Sequence, residues 1–312
     1  LVEMAKVMER VEAPADERGR ARVFSGHESF AVRYGWLPKV YEAVVRDPEL
    51  FADDERAILT LGLGKNMVRS VRFWGEAFGV TCTQGRKVRP TEFGRRLLDP
   101  DLGADPHLED TGSLWRLHWQ VTAHGGLGAW TAAFLSVTDV EVTRRRLLDL
   151  ITASSVAVRG GVNAGTAAAH LDILIKTYDA SADRGAAVLE DTLGSPFQEL
   201  DLLRTVTTGG VPTVRLNRGD KRGLDWRVLA FALADHWRAA APGSAALTMR
   251  SIMLDRVSPG SVFRLDETAM HGLLEEMCDR SGHLALRGDG IGGLELVSKG
   301  AAGPQELERM AW

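Results

Sequence analysis

The chain is 312 residues long, about two ordinary domain lengths at roughly 150 residues each. Its 45% hydrophobic and 26% charged content is globular and excludes a mostly disordered chain, while two cysteines, Cys82 and Cys278, exclude a disulfide framework or a four-cysteine zinc site. A net charge of −4 announces no nucleic-acid partner in bulk, and no apolar run approaches the roughly 18 residues that span a bilayer.

Residues 1–22 are charged, interrupted by Pro14, and read as a mobile arm. With no charged-then-apolar leader visible, a cytoplasmic location without a membrane partner is expected. From Trp36 the pattern turns helical: Leu37, Val40, Tyr41 and Val44 recur at three and four residues, and Pro48 closes the helix. A second helix is expected to start at Asp53–Asp54, carrying Ala57, Ile58 and Leu61 inward. Gly62 and Gly64 then turn the chain into a third helix, from about Lys65 to Ala77, which Gly79 stops. Val80–Thr83 and Arg86–Arg89 read as a hairpin around Gln84-Gly85, and Thr91 can cap a short helix. Helix, helix, turn, helix, hairpin is the order of a winged helix-turn-helix.

Beyond it the texture is helical, with Leu114 to Trp119 on one helix and Ala167 to Tyr178 on another. Gly-rich joints stand at Gly125-Gly126, Gly160-Gly161 and Gly209-Gly210. Trp226–Trp237, Thr248–Leu254 and Leu265–Met277 look helical, and His283–Leu286 pairs with Leu294–Val297 around Gly288-Asp289-Gly290. The expected fold is therefore mainly α with small β wings. It divides into an arm (1–22), a winged helix-turn-helix DNA-binding domain (23–100), a helical middle domain (101–208) and a C-terminal winged-helix-like domain (209–312). The last module's third helix carries Asp266, Glu267, Glu275, Glu276 and Asp279. Such a surface repels phosphates, so it is expected to meet protein instead of DNA.

Charge is concentrated in one place. Between Leu61 and Arg96 stand Lys65, Arg69, Arg72, Arg86, Lys87, Arg89, Arg95 and Arg96 against Glu76 and Glu92, in a chain that is acidic overall. At about 100° per residue, Lys65, Arg69, Arg72 and Glu76 share a sector of roughly 60°, with Met67, Val71, Trp74 and Phe78 nearly opposite. Asn66 and Ser70 flank the cations with short hydrogen-bonding groups. In a helix-turn-helix this helix lies in the major groove, where Arg reads guanine and Asn reads adenine. Arg86, Lys87 and Arg89 at the wing tip would touch the neighbouring backbone. The bland alternative is an amphipathic helix whose cations face water. Trp74, Trp115, Trp119 and Trp130 read as core aromatics.

The string Phe24-Ser-Gly-His-Glu-Ser-Phe30, with Arg33, Trp36-Leu37 and Lys39, resembles the opening of the SspB-like family of bacterial DNA phosphorothioation (Ssp) systems, a domain-of-unknown-function family. The resemblance continues through Leu61 to Trp74, Pro90-Thr-Glu-Phe-Gly94, Leu108-Glu-Asp110, Leu114-Trp115 and His118-Trp119, with weaker echoes at Ile173–Tyr178 and Glu190–Pro196. No cysteine falls in either echo, so no thiol role is carried over. The resemblance implies antiviral defence through DNA modification, with a nickase (endonuclease) activity that cuts one strand to prepare a phosphate for sulfur insertion. It implies double-stranded DNA, a cysteine desulfurase, an ATPase and an ATP-pyrophosphatase-like protein as partners.

Nicking a phosphodiester calls for charge stabilisation at phosphorus, commonly by Mg²⁺ or Mn²⁺ held on carboxylates. No lysine is preceded two residues earlier by Asp or Glu, so the restriction-type element is absent. Gly64-Lys65-Asn66 lacks the P-loop spacing, so no nucleotide cofactor is expected. His27 and Glu28 are candidate catalytic residues, as general base or metal ligand, although with Ser25 they also suit a structural role capping the first helix. Glu109, Asp110 and His118 form a second set, with helix-capping carboxylates and a core histidine as its structural reading. The metal and its ligands are not specified by sequence. Two other functions fit the same residues: a non-catalytic DNA-binding adaptor for the sulfur-transfer machinery, or a winged-helix transcriptional regulator.

Overall fold

The computed structural model describes residues 23–156, 161–181, 194–289, 293–299 and 303–312, so the arm and the joints at Gly160 and Gly290 lie outside the described residues. The described residues are mainly helical, with three small antiparallel sheets among them.

Helix α1 (Trp36–Arg46) buries Trp36, Leu37, Val40, Tyr41 and Val44, the five positions its periodicity marks. It ends before Pro48, whose ring disfavours helix in the residue ahead of it. Helix α2 (Asp54–Leu61) begins on Asp53, whose carboxylate accepts from the Arg56 N–H, and stops at Gly62 at φ 64°. Helix α3 (Lys65–Ala77) packs across α1, and the crossing is close. A Cβ on Gly75 would stand 2.9 Å from both Val40 and the Thr81 hydroxyl.

Strands β1 (Thr81–Gln84) and β2 (Lys87–Pro90) pair with Gln84 opposite Lys87, leaving Gly85-Arg86 as the turn. The turn thus falls one residue later than Gln84-Gly85, because Gly85 sits at φ 63° and supplies the positive φ that a two-residue hairpin needs. Thr91 caps α4 (Glu92–Leu98), its hydroxyl accepting from the Gly94 N–H.

Helix α5 (Thr111–Ala123) is the central rod, buried on nearly every side. Around it lie α6 (Gly128–Trp130) with a following π turn, β3 (Glu141–Thr143), α7 (Arg144–Val156) and α8 (Ala164–Tyr178). Strands β4 (Leu203–Thr208) and β5 (Val211–Leu216) join β3 in a sheet of order β3-β5-β4. A domain boundary between residues 208 and 209 is therefore corrected. Gly209 and Gly210, at φ 57° and 79°, are the turn of one hairpin, with Thr208 paired to Val211.

The C-terminal region runs through α9 (Trp226–Ala240), β6 (Ala246–Thr248), α10 (Met249–Leu254), α11 (Pro259–Val262) and α12 (Glu267–Arg280). Strands β7 (Leu284–Asp289) and β8 (Gly293–Ser298) then lead to α13 (Gly303–Met310), with sheet order β6-β8-β7. The two expected strands do pair, Ala285 with Val297 and Leu286 with Leu296, but Gly288 and Asp289, expected in the turn, lie on β7 opposite Leu294 and Gly293. One continuous core runs from Phe24 to Ala311 and includes Trp74, Trp115, Trp119 and Trp130. A smaller cluster, Ala43, Leu50, Ala57, Leu61 and Val68, seals α2 against its neighbours. Among the described residues no helix is long and apolar enough to cross a membrane.

Candidate nucleic-acid interface

Helix α3 seats its apolar side inward: Val68, Val71, Trp74 and Phe78 are buried, and Met67 is partly so. The Trp74 indole N–H donates to the Phe30 carbonyl at 3.0 Å, so even its polar atom is satisfied inside. Lys65, Asn66 and Arg69 stand outward, with Arg72 half-buried beside them. Ser70 departs from the expectation and is corrected: it is fully buried, and its hydroxyl donates to the His27 carbonyl at 3.0 Å. The helical geometry gives the reason, since Ser70 projects about 40° from Trp74 but about 100° from Arg69.

The cations do not stand alone. Asp54, in the first turn of α2, lies 3.0 Å from the Lys65 ammonium and 3.8 Å from the Arg69 guanidinium. The Lys65 contact holds the Asp54 carboxyl below the usual carboxylate range. Arg72 pairs with Glu76 at 3.2 Å, donates to the Thr83 hydroxyl at 3.0 Å and lies over the Phe51 ring. Thr83 in turn donates to Glu76 at 2.6 Å, which fixes β1 beside the outer face of α3. On the hairpin, Val88 points inward while Arg86, Lys87 and Arg89 are exposed, and Lys87 lies 3.5 Å from Glu49. Helix face and hairpin tip thus form one basic surface interleaved with carboxylates. None of Asp54, Glu49, Thr83 or Phe51 was legible as part of it, because their proximity is tertiary.

The signature loop packs directly against this helix. Gly26, Glu28 and Ser29 all have positive φ (110°, 48° and 63°), and the two non-glycine residues are strained. Gly26 is required on a second count, since a Cβ there would meet the Phe73 ring at 2.8 Å. His27 is buried: its Nδ1 accepts from the Ser29 N–H at 3.2 Å, and its ring stacks on His170 of α8 at 5.3 Å and 12°. His27 Nε2 and both ring nitrogens of His170 have no hydrogen-bond partner among the described residues. Burial lowers the pKa of both rings, that of His170 to about 3. Nearly parallel rings aim their in-plane lone pairs side by side, not at one point, so the pair is no chelate. Glu28 is exposed beside it. These residues do not cap α1, which begins on Gly35 without a side-chain cap.

The second set does not assemble either. Asp110 caps α5, and Asp105 accepts from the Glu109 and Asp110 N–H groups, both at 2.9 Å. His118 is a core histidine between the Tyr178 hydroxyl at 2.7 Å and the Val262 carbonyl at 3.0 Å. Burial pulls its pKa to about 4. Among the described residues no group of three or more His, Cys, Asp or Glu is placed to hold a metal ion. A ready-made cage for a divalent ion is thus not formed by the described residues.

Against known proteins, the family model described as a protein of unknown function, DUF4007, matches residues 24–306. Two solved structures are similar over nearly the whole chain. A crystal structure of SspB is 30% identical with a TM-score of 0.81, covering 91% of this chain and 85% of that one. A magnesium-ion-bound SspB crystal structure is 29% identical, with the same TM-score and coverage. No curated protein matches significantly.

Proposed function

This chain belongs to the DUF4007 family, and on that premise we propose that it is the duplex-engaging component of an SspB-like DNA phosphorothioation system. Residues from about 23 to 100 act as a winged helix-turn-helix, with α3 as the groove-facing helix and the β1–β2 hairpin as its wing. The observation that carries this reading is the two-sidedness of α3: a sealed apolar side, and Lys65, Asn66, Arg69 and Arg72 outward beside Arg86, Lys87 and Arg89. Phosphates bind such a surface by counterion release, and guanidinium and amide groups read base edges from it.

In the same reading the bound strand is nicked to expose a phosphate for sulfur insertion. Glu28 is an exposed carboxylate without an ion pair among the described residues, on a loop that packs against the helix and whose strained backbone His27 holds in place. Mg²⁺ or Mn²⁺, arriving with the phosphate, would supply charge neutralisation. A cysteine desulfurase, an ATPase and an ATP-pyrophosphatase-like protein are the expected partners. The adaptor alternative draws support from the burial of His27 and from the lack of a three-ligand metal group among the described residues.

Two measurements test this. If five cations neutralise phosphates, log affinity for duplex DNA falls against log salt with a slope of about −4 to −5, and a flat titration refutes the binding reading. Supercoiled plasmid then separates the two variants. Open circles that need Mg²⁺ or Mn²⁺ and vanish in Glu28→Gln support the nickase; salt-dependent binding without open circles supports the adaptor.

A further inference from the structure

The cations proposed to meet DNA are largely occupied by the protein's own carboxylates. Asp54 sits between Lys65 and Arg69, Glu76 on Arg72 and Glu49 on Lys87. Only Arg86 and Arg89 of the outward set have no ion pair among the described residues. Glu76 and Glu49 have evident structural work, since each ties the hairpin to the helical part. Asp54 joins α2 to α3 only through these two exposed cations, and it does not cap α2, a role that falls to Asp53. Exposed ion pairs of this sort contribute little to stability. The start of the second helix is where the helix dipole favours an anion, and a DNA phosphate would be welcome there. Here Asp53, Asp54 and Glu55 crowd that end instead.

Resting on the DNA-binding reading, we propose that Asp54 is an internal phosphate mimic that sets how tightly this face can hold any duplex. It occupies Lys65 and Arg69 in the free protein, so that a duplex binds this face only where base-edge contacts supplement the exchange of one anion for another. A carboxylate oxygen 3.0 Å from the Lys65 ammonium stands close to where a phosphate oxygen would, and at 3.8 Å it offsets the Arg69 guanidinium by charge without a hydrogen bond. Docking a backbone then gains little from these two cations, because a phosphate must replace an anion already present. The left-over carboxylate also faces the incoming strand. Such repulsion weakens every duplex about equally, so it leaves the preference between sequences unchanged and raises the contribution that base-edge hydrogen bonds must make before a duplex is held.

The test compares wild type, Asp54→Asn, Arg69→Ala and the double variant on a random-sequence duplex of about 20 base pairs, with thermal unfolding of each as the folding control. At about 50 mM salt Asp54→Asn is expected to bind roughly fivefold more tightly, with a salt slope steeper by about one. In the Arg69→Ala background the gain from Asp54→Asn shrinks, because one of its two cations is gone. Equal affinities and slopes for wild type and Asp54→Asn, with Arg69→Ala still weakened, overturn the mimic and leave DNA binding intact. Weaker binding by a folded Asp54→Asn overturns it as well, by making Asp54 an organiser of the cations. Salt-independent or absent binding by both proteins refutes the DNA-binding reading itself, and the mimic falls with it.

Discussion

Trp36–Pro90 and Trp226–Ser298 are built alike and charged oppositely. Each runs through helices into an antiparallel hairpin, and each buries one side of the helix that precedes that hairpin. Helix α3 buries Val71 and Trp74; helix α12 buries Met270, Leu274 and Met277. Outward, α3 carries Lys65, Arg69 and Arg72 against Glu76, whereas α12 carries Glu267, Glu275, Glu276 and Asp279 against Arg280. Burial specifies the fold in both regions, and the outer face is left free to choose a partner. One face suits a polyanion; the other suits a basic protein surface.

The inner halves of the comparison carry the largest effects. Trp74 and Trp237 are both fully buried, and each indole N–H donates to a carbonyl, of Phe30 and Ser244 respectively. Replacing either by alanine opens a cavity in the shared core and is expected to cost about 3–5 kcal/mol in urea unfolding. Because the core is continuous, both variants should still unfold in one transition. A variant that melted only its own region would break the comparison, making the two units separate domains.

Much of this inner architecture is legible in the sequence. The apolar spacing of Trp36 to Val44, the acids before α2 and the span Lys65–Ala77 each reflect a local rule, and local rules survive folding. The β4–β5 hairpin was not read, since its Thr-rich strands alternate weakly and its Gly209-Gly210 turn imitates a linker. Ser70 was misplaced because a serine at the edge of a helix stripe is polar on paper but is drawn inward by the His27 carbonyl. The stacking of His27 on His170 joins residues far apart in the chain, and nothing in either neighbourhood announces it.

Acid should affect both regions through buried histidines. His170 stacks beneath the N-terminal loop, and His118 donates from Nε2 to the Val262 carbonyl next to the C-terminal region. Their pKa values are depressed to about 3 and about 4, below the roughly 6.5 of an unfolded chain. The unfolded state therefore binds more protons below pH 6.5, and stability present above that pH is lost as pH falls towards 4. Each ring contributes a slope of about 1.4 kcal/mol per pH unit in that window. His170→Leu should remove about one proton's share, leaving roughly 2 kcal/mol less loss between pH 6.5 and pH 5 than wild type. An unchanged pH slope in urea titrations would mean that His170 is protonated in the fold.

The smallest effect is the sharpest test of the outer halves. Arg69→Ala removes one outward cation from α3 and should weaken duplex binding by only about threefold at low salt, since Asp54 already offsets part of its charge and the lost phosphate contact carries a reduced share of counterion release. Glu275→Ala with Glu276→Ala removes twice the charge from α12, and long-range electrostatics alone would predict tighter binding from so large a change. At physiological salt, however, charges more than about 8 Å apart are screened, so a helix that does not face the duplex contributes almost nothing. The double variant is therefore expected to bind DNA within about twofold of wild type, measured by anisotropy with Arg69→Ala alongside. A gain of tenfold would place α12 against the duplex, and the opposed faces would then be two sides of a single DNA contact instead of surfaces for different partners.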